Sequence, residues 1–348
     1  MTLKSVCVCG HFGFGENLLN GQTVKTKIVT EEIERQIGAQ EVIKLDTHGG
    51  VKALLRLPFE TFCALRKCKN IIILPANNGL RVITPILSFY NVFFKRKLHY
   101  AVIGGWLASF IKNKKVLTGM LKRFDGIYVE TSTMKKNLEA MGFENVTVVP
   151  NCKALTVLSE GEAESPKAEP YKLCTFSRVM REKGMEDAVQ AVKAVNEKHG
   201  RTVFTLDIYG QVDAEQTEWF ENLKATLPDY VKYGGLVPFD KSVEVLKSYF
   251  ALLFPTRFYT EGIPGTIIDA YAAGVPVISA EWESFSDMVK EGETGFGYRF
   301  GEQDEFVKLL DSVAENPEKI NKLRPGCLKE AQKYTPENAI KTILGKMA

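Results

Sequence analysis

The sequence predicts an α/β protein built from two doubly wound, Rossmann-like parallel-sheet domains that face each other across a cleft, and three observations carry that prediction. Short β-branched runs alternate with segments of helical period along most of the chain. The alternation breaks once, after Pro150, at "LSEGEAESPKAEP", an acidic Ser/Pro-bearing stretch with no apolar period that reads as a linker. With 348 residues, 45% hydrophobic and 25% charged, the chain is long enough for two domains with cores of their own.

The first series opens with the strand "SVCVC" and a helix expected near Gln22, whose apolar positions are Val24, Ile28, Ile33 and Ile37. The strands "VIKLD", "NIIILPA", "HYAVIG", "GIYVET" and "NVTVVP" follow, each separated from the next by a helical segment. A second series begins after the linker with "KLCTFSRV", "FTLDIYG", "VKYGGLV", "FALLFPT", "PVISA" and "GFGYRF". The expected domains are residues 1–158 and 171–335, joined by a linker at 159–170. Ligands of open parallel sheets sit outside the carboxyl ends of the strands, so the loops at those ends are the candidate sites.

Composition excludes several classes. No run approaches the roughly 18 apolar residues of a spanning helix, and "MTLKSVCVCGHFGFG" is too short an apolar run for a signal peptide, so a cytoplasmic protein is expected. Seven cysteines in no framework spacing read as reduced thiols, and the four scattered histidines supply no metal ligand set. The net charge of +3 hides a division: residues 1–158 carry +11 and the remainder −8. Between Val51 and Arg123 there are 14 Lys and Arg against the single acid Glu60. The clusters Lys95-Arg96-Lys97 and Lys112, Lys114, Lys115 mark a face for an anionic partner, here a membrane surface or a lipid-linked acceptor rather than nucleic acid.

Three loops carry candidate chemistry. Gly13-Phe14-Gly15 follows the first strand and precedes a helix, a layout that brings backbone amides near an anion. The third glycine of a dinucleotide fingerprint is missing, although Asp46 at the end of the second strand is the acid such a site would use; a tight structural turn explains the same residues. In "TFSRVMREKGMEDAVQAV", Arg178, Arg181 and Lys183 lie on the loop before a helix expected from about Gly184, where a diphosphate would sit well. "FPTRFYTEGIPGTIIDAYAAG" places Glu261 on a loop and Asp269 about one turn into a helix that starts near Gly265.

Those last two loops resemble the retaining glycosyltransferases of family 4. Glu261-Gly262-Ile263-Pro264-Gly265-Thr266-Ile267-Ile268-Asp269 is similar to the family's E-x7-E element, and "AGVPVI" to the segment after it. "SRVMREKGMEDAV" resembles the donor-phosphate loop, "LDIYG" the next strand ending at Gly210, and "EGETGF" a further family segment, so the likeness covers most of Tyr171 to Phe300. In the first half, "GFGENLLNGQTVKT" and "HYAVIGGWLASFI" are similar to bacterial enzymes of capsule, O-antigen and exopolysaccharide assembly. The resemblance implies the GT-B fold, an acceptor-binding first domain, and a C-terminal helix at about 336–348 crossing back onto it. It implies a donor site of Gly13, Phe14, Gly15, Arg178, Lys183, Gly210 and residues 261–267 with Asp269, and catalytic roles for Glu261, Arg178 and Lys183. The donor implied is a nucleotide sugar, UDP-linked, with no metal and no other cofactor; the acceptor is a polyprenyl-pyrophosphate-linked glycan at the inner membrane face. Asp269 stands where the family usually has Glu, and Ile103-Gly104-Gly105-Trp106 stands where many members have a histidine, so no side chain is assigned as base. The leaving phosphate then takes the acceptor proton. Two further readings stay open: a GT-B-type UDP-sugar epimerase, and a non-enzymic module that binds anionic surfaces.

Overall fold

The structure, a computed structural model, describes residues 3–16, 21–163, 166 and 168–347. The quoted stretch "GFGENLLNGQTVKT" therefore falls partly outside the described residues, at 17–20, and so does the expected linker at 164, 165 and 167. The chain divides into two compact units: Met1–Ala154 with Tyr334–Ala348, and Leu155–Lys333.

The first unit is a six-stranded parallel sheet of β1 (Lys4–Gly10), β2 (Val42–Asp46), β3 (Cys68–Ile73), β4 (Lys97–Ala101), β5 (Gly126–Val129) and β6 (Val146–Val148), in the order β2-β1-β3-β4-β5-β6. β1 shows why these residues make a central strand. Its side chains alternate between faces, Cys7 and Cys9 entering one buried cluster while Val6 and Val8 enter another, so both faces of the sheet are covered. Helices α1 (Gly21–Ile37), α2 (Gly50–Lys67) and α3 (Asn77–Phe94) connect the first four strands. The helix Pro336–Met347 packs beside α1, where Ala339, Ile340 and Ile343 join the cluster that holds Val29 and Ile33.

The buried face of α1 differs from the expected one. Thr23, Lys25, Thr26, Val29, Thr30 and Ile33 are buried, whereas Val24, Ile28 and Ile37 are only half-buried. Two of the polar members, Thr30 and Lys25, have partners that hydropathy does not show. The Thr30 hydroxyl donates 2.6 Å to the Thr26 carbonyl, and the Lys25 ammonium pairs with the Glu130 carboxylate while donating 3.3 Å to the Val102 carbonyl.

The second unit repeats the plan with β7 (Tyr171–Phe176), β8 (Phe204–Tyr209), β9 (Val231–Gly235), β10 (Ala251–Phe254), β11 (Val277–Glu281) and β12 (Gly295–Arg299), all parallel, in the order β12-β11-β10-β7-β8-β9. Phe204, Phe250 and Phe306 are fully buried in its core, and truncating one of them would cost about 3–5 kcal/mol. The Asn196 side chain ties the helix Met185–His199 to β8, donating 2.9 Å to the Phe204 carbonyl and accepting from the amides of Val203 and Phe204. Strand order reverses between β7 and β10, so connections leave these neighbours in opposite directions. The space outside their carboxyl ends is then not roofed by a crossover.

Candidate active site

The two loops singled out in the sequence leave the strands on either side of that reversal. Ser177–Gly184 follows β7 and Pro255–Pro264 follows β10. They are joined directly: the Arg257 amide donates 2.8 Å to the Glu182 carbonyl, and its guanidinium grips the Asp187 carboxylate at 2.6 and 2.8 Å. Gly184 has φ 71°, and a Cβ there would lie 1.9 Å from the Pro255 carbonyl oxygen, so only glycine permits this approach.

The result is an ion pair between the Lys183 ammonium and the Glu261 carboxylate, with side chains 18% and 17% exposed. The Thr256 hydroxyl donates 3.2 Å to the same Glu261 oxygen, and the Lys183 ammonium lies 5.6 and 5.1 Å from the Phe254 and Phe258 rings. Two charges 78 residues apart in the chain thus meet on one wall, still accessible to a ligand. The helix Gly265–Ala272 starts on the same loop, its Ile267 and Ile268 amides taken by the Pro264 carbonyl. The buried Thr266 hydroxyl of its first turn has no hydrogen-bond partner among the described residues.

The other expected donor residues are placed differently. Arg178 reaches 3.5 Å to Asp213, on the loop after β8, rather than to Glu261. Gly210 at φ 137° faces the Ser177 carbonyl, where a Cβ would stand at 1.8 Å; its part is to let the β8 loop close on the one that carries Arg178. Gly262, Ile263 and Pro264 are buried, whereas Gly265 is half-buried. Asp269 is only 3% exposed and accepts 3.1 Å from the Ser242 hydroxyl, so its carboxylate turns into the unit between two helices. Thr256, Asp213 and Ser242 were missed in the sequence; Thr256, two residues past β10, carried the one available signal, a hydroxyl at a strand's carboxyl end.

In the first unit the Gly13-Phe14-Gly15 loop already holds an anion of its own. The Asp46 carboxylate accepts the amides of Phe12, Gly13, Phe14 and His48 at 2.9, 3.3, 2.9 and 2.9 Å. Burial works to raise its pKa, but the backbone donors outweigh burial and hold it below the ordinary value. The dinucleotide reading fails here, because its acid is committed to the loop and a pyrophosphate would meet a carboxylate. Beside it, His11 and His48 share a 3.0 Å contact between ring nitrogens, closed by Thr23 at 2.7 Å and Glu16 at 3.1 Å.

The basic clusters are only partly solvated. Lys95, Lys97 and Lys112 are exposed, although Lys97 also donates 3.4 Å to the Met347 carbonyl; Arg96 donates 3.0 Å to the Leu65 carbonyl, and Lys114 bonds the Phe110 carbonyl. Lys115 is exposed. Among the described residues no group of three or more His, Cys, Asp or Glu is arranged to hold a metal ion.

Residues 160–330 match the family described as Glycosyl transferases group 1. That stretch contains both switch-point loops. The amylovoran biosynthesis glycosyltransferase AmsK of Erwinia amylovora is 24% identical over 146 residues, covering 41% of this chain and 35% of the relative. The 2-deoxystreptamine N-acetyl-D-glucosaminyltransferase of Niallia circulans is 31% identical over 169 residues, covering 44% and 41%. The match therefore spans well under two thirds of either relative. Among solved structures, HepE of Anabaena in complex with UDP and glucose superposes with a TM-score of 0.74 at 14% identity, covering 98% of both chains. The fold is GT-B.

Proposed function

We propose that this chain is a retaining glycosyltransferase that moves a hexosyl group from a UDP-sugar to a polyprenyl-pyrophosphate-linked glycan in bacterial surface polysaccharide assembly. The observation that carries this reading is the Lys183–Glu261 pair at the β7/β10 reversal, beside the start of the helix Gly265–Ala272. An ammonium and a helix N-terminus form a cradle for a diphosphate, and a carboxylate next to them suits the hydroxyls and the cationic ring of a sugar. The UDP and glucose in the HepE complex support the donor class, and the amylovoran pathway of AmsK supports a polysaccharide product.

In the proposed reaction the bond between the anomeric carbon and the diphosphate oxygen breaks, and the acceptor oxygen bonds to the same face of that carbon. The departing phosphate oxygen takes the acceptor's proton, so no further base is needed. Lys183, assisted from the loop edge by Arg178, offsets the charge left on the nucleotide without a metal ion, and Glu261 steadies the positive charge on the ring. Asp269 ties the helix Gly265–Ala272 to Ser242 from within the unit. The lipid on the acceptor places the enzyme peripherally at the inner membrane face; among the described residues no helix is long and apolar enough to cross a membrane.

The test is incubation with a panel of nucleotide sugars, read as release of free nucleotide with and without a lipid-linked acceptor. Release that requires the acceptor is expected, and EDTA should not change it. Sugar isomerisation without an acceptor would assign an epimerase instead. Failure to bind any nucleotide would leave an anionic-surface module.

A further inference from the structure

The first unit has more apolar side chains than its core uses. In α2, Ala53, Leu57, Ala64 and Leu65 face inward, while Val51, Leu55, Phe59 and Phe62 run along the opposite side at helical spacing. Leu55 is 77% exposed and Phe59 71%. α3 ends the same way, with Phe89, Val92 and Phe93 outward. The Phe62 ring stands edge-on to Tyr90 at 5.7 Å and Phe94 at 5.3 Å, which joins the two helices at the foot of this ridge. Single exposed apolar residues are ordinary, but a contiguous aromatic ridge needs something to cover it.

Charge identifies the cover. Lys52, Arg56, Arg66 and Lys67 flank the ridge on the solvent side of α2, in a stretch whose single acid is Glu60. A second copy would bring like charges together, whereas a phospholipid leaflet offers acyl chains to the ridge and phosphates to its border. Arg81 and Pro85 lie two turns and one turn before Phe89 on the same side of α3, where they line a groove of about 530 Å³ with Lys114 and Lys115. Arg81 and Lys114 both sit over the Phe110 ring, at 4.9 and 4.0 Å, which holds two cations at the groove.

We propose that this face docks on an anionic phospholipid leaflet, the α2–α3 ridge entering the acyl boundary and the groove between α3 and the helix Lys115–Leu121 taking lipid phosphate. The inference deepens the proposed membrane-side function and rests on that reading only for the acceptor's lipid.

Vesicle flotation tests it, using phosphatidylglycerol-containing and pure phosphatidylcholine vesicles. The wild type should bind the anionic vesicles and keep part of that binding at about 1 M salt, where the screening length falls to roughly 3 Å. A variant carrying Leu55→Ser, Phe59→Ser and Phe93→Ser should lose the salt-resistant part, by roughly tenfold for each side chain. Arg81→Gln with Lys115→Gln should weaken low-salt binding by roughly fivefold for each cation and spare the salt-resistant part. All five sites are exposed, so thermal melts and UDP calorimetry should match the wild type. Three results would overturn the proposal: binding indifferent to lipid charge, a ridge variant that floats as the wild type does, or a dimer that the ridge variant dissolves. Loss of UDP binding in every protein, wild type included, would count against the transferase reading and leave the docking result standing.

Discussion

Replacing Glu261 with Gln should separate two properties that loss of a binding residue usually lowers together. In the unliganded protein the Glu261 carboxylate neutralises the Lys183 ammonium, the cation proposed to receive the diphosphate. An incoming diphosphate must therefore compete with Glu261 for Lys183. Gln keeps the shape and the Thr256 contact, which spans 3.2 Å in the wild type, but removes the competing charge. A hydrogen bond to a charged group contributes about 1.5–3 kcal/mol, and partial exposure of this pair reduces that to about 1 kcal/mol. UDP should then bind roughly fivefold more tightly to Glu261→Gln, by the scale on which 1.4 kcal/mol is tenfold. Turnover should move the other way, falling on the order of 10²-fold as the ring loses its preorganised counter-charge. Titration calorimetry with UDP and acceptor-dependent nucleotide release measure the two effects on one preparation. Weaker UDP binding in a folded variant would refute the competition argument, and wild-type turnover would reduce Glu261 to a structural loop acid.

Lys183→Ala should weaken UDP binding by about 1.5–3 kcal/mol and uridine binding far less, whereas Arg178→Ala should cost less because Asp213 already shares that guanidinium; calorimetry that shows equal losses for nucleoside and diphosphate would contradict the clamp. His99 is fully buried between Tyr128 at 3.0 Å and Asn70 at 3.3 Å, and burial pushes its pKa down from 6.5 to about 4. The unfolded chain then binds the proton more tightly, so stability is full above about pH 6.5 and falls by about 3 kcal/mol as pH drops toward 4; urea titrations across that range should show the loss, and His99→Gln should flatten it. Lys25→Met would leave Glu130 buried without its cation and should cost about 3–5 kcal/mol by chemical unfolding, most of it regained with Glu130→Gln.

The second unit was legible because its chemistry lies within two short stretches. Arg178 and Lys183 sit before a helix that starts at Met185, and Glu261 before one that starts at Gly265, each within a residue of the expected position. That the two loops touch follows from the strand order, which no local pattern states. The direction of Asp269 was equally hidden, because a helix period says which face a residue occupies but not that Ser242, 27 residues earlier, would bond it inside the unit. In α2 the two apolar faces overlap in the sequence. The run is amphipathic, with Lys52, Arg56, Glu60 and Lys67 on one side, but its wide apolar face holds both the inward Ala53, Leu57 and Ala64 and the outward Val51, Leu55, Phe59 and Phe62, and only burial separates the two sets.

The first unit's glycine loop shows how one carboxylate can redirect a motif. Gly13-Phe14-Gly15 has the amides to hold an anion, and the chain fills that role with Asp46, drawing the loop onto the end of β2. A phosphate placed there would have to displace a half-buried charge held by four backbone donors, an exchange that gains no hydrogen bonds and adds repulsion from Glu16 nearby. The proposed function therefore puts the nucleotide phosphates on the second unit, where Lys183 offers a cation and the Thr266 hydroxyl has no partner among the described residues. What this loop still presents outward is the exposed Phe14 ring and the His48–Glu16 contact, an aromatic face beside polar groups. Such surfaces suit the flat apolar faces and hydroxyls of a sugar better than they suit a phosphate. Asp46→Ala should therefore cost stability by freeing the loop's amides while leaving UDP affinity unchanged, measured by thermal melting and calorimetry. A loss of UDP affinity equal to that of Lys183→Ala would place the nucleotide on this loop and contradict the division.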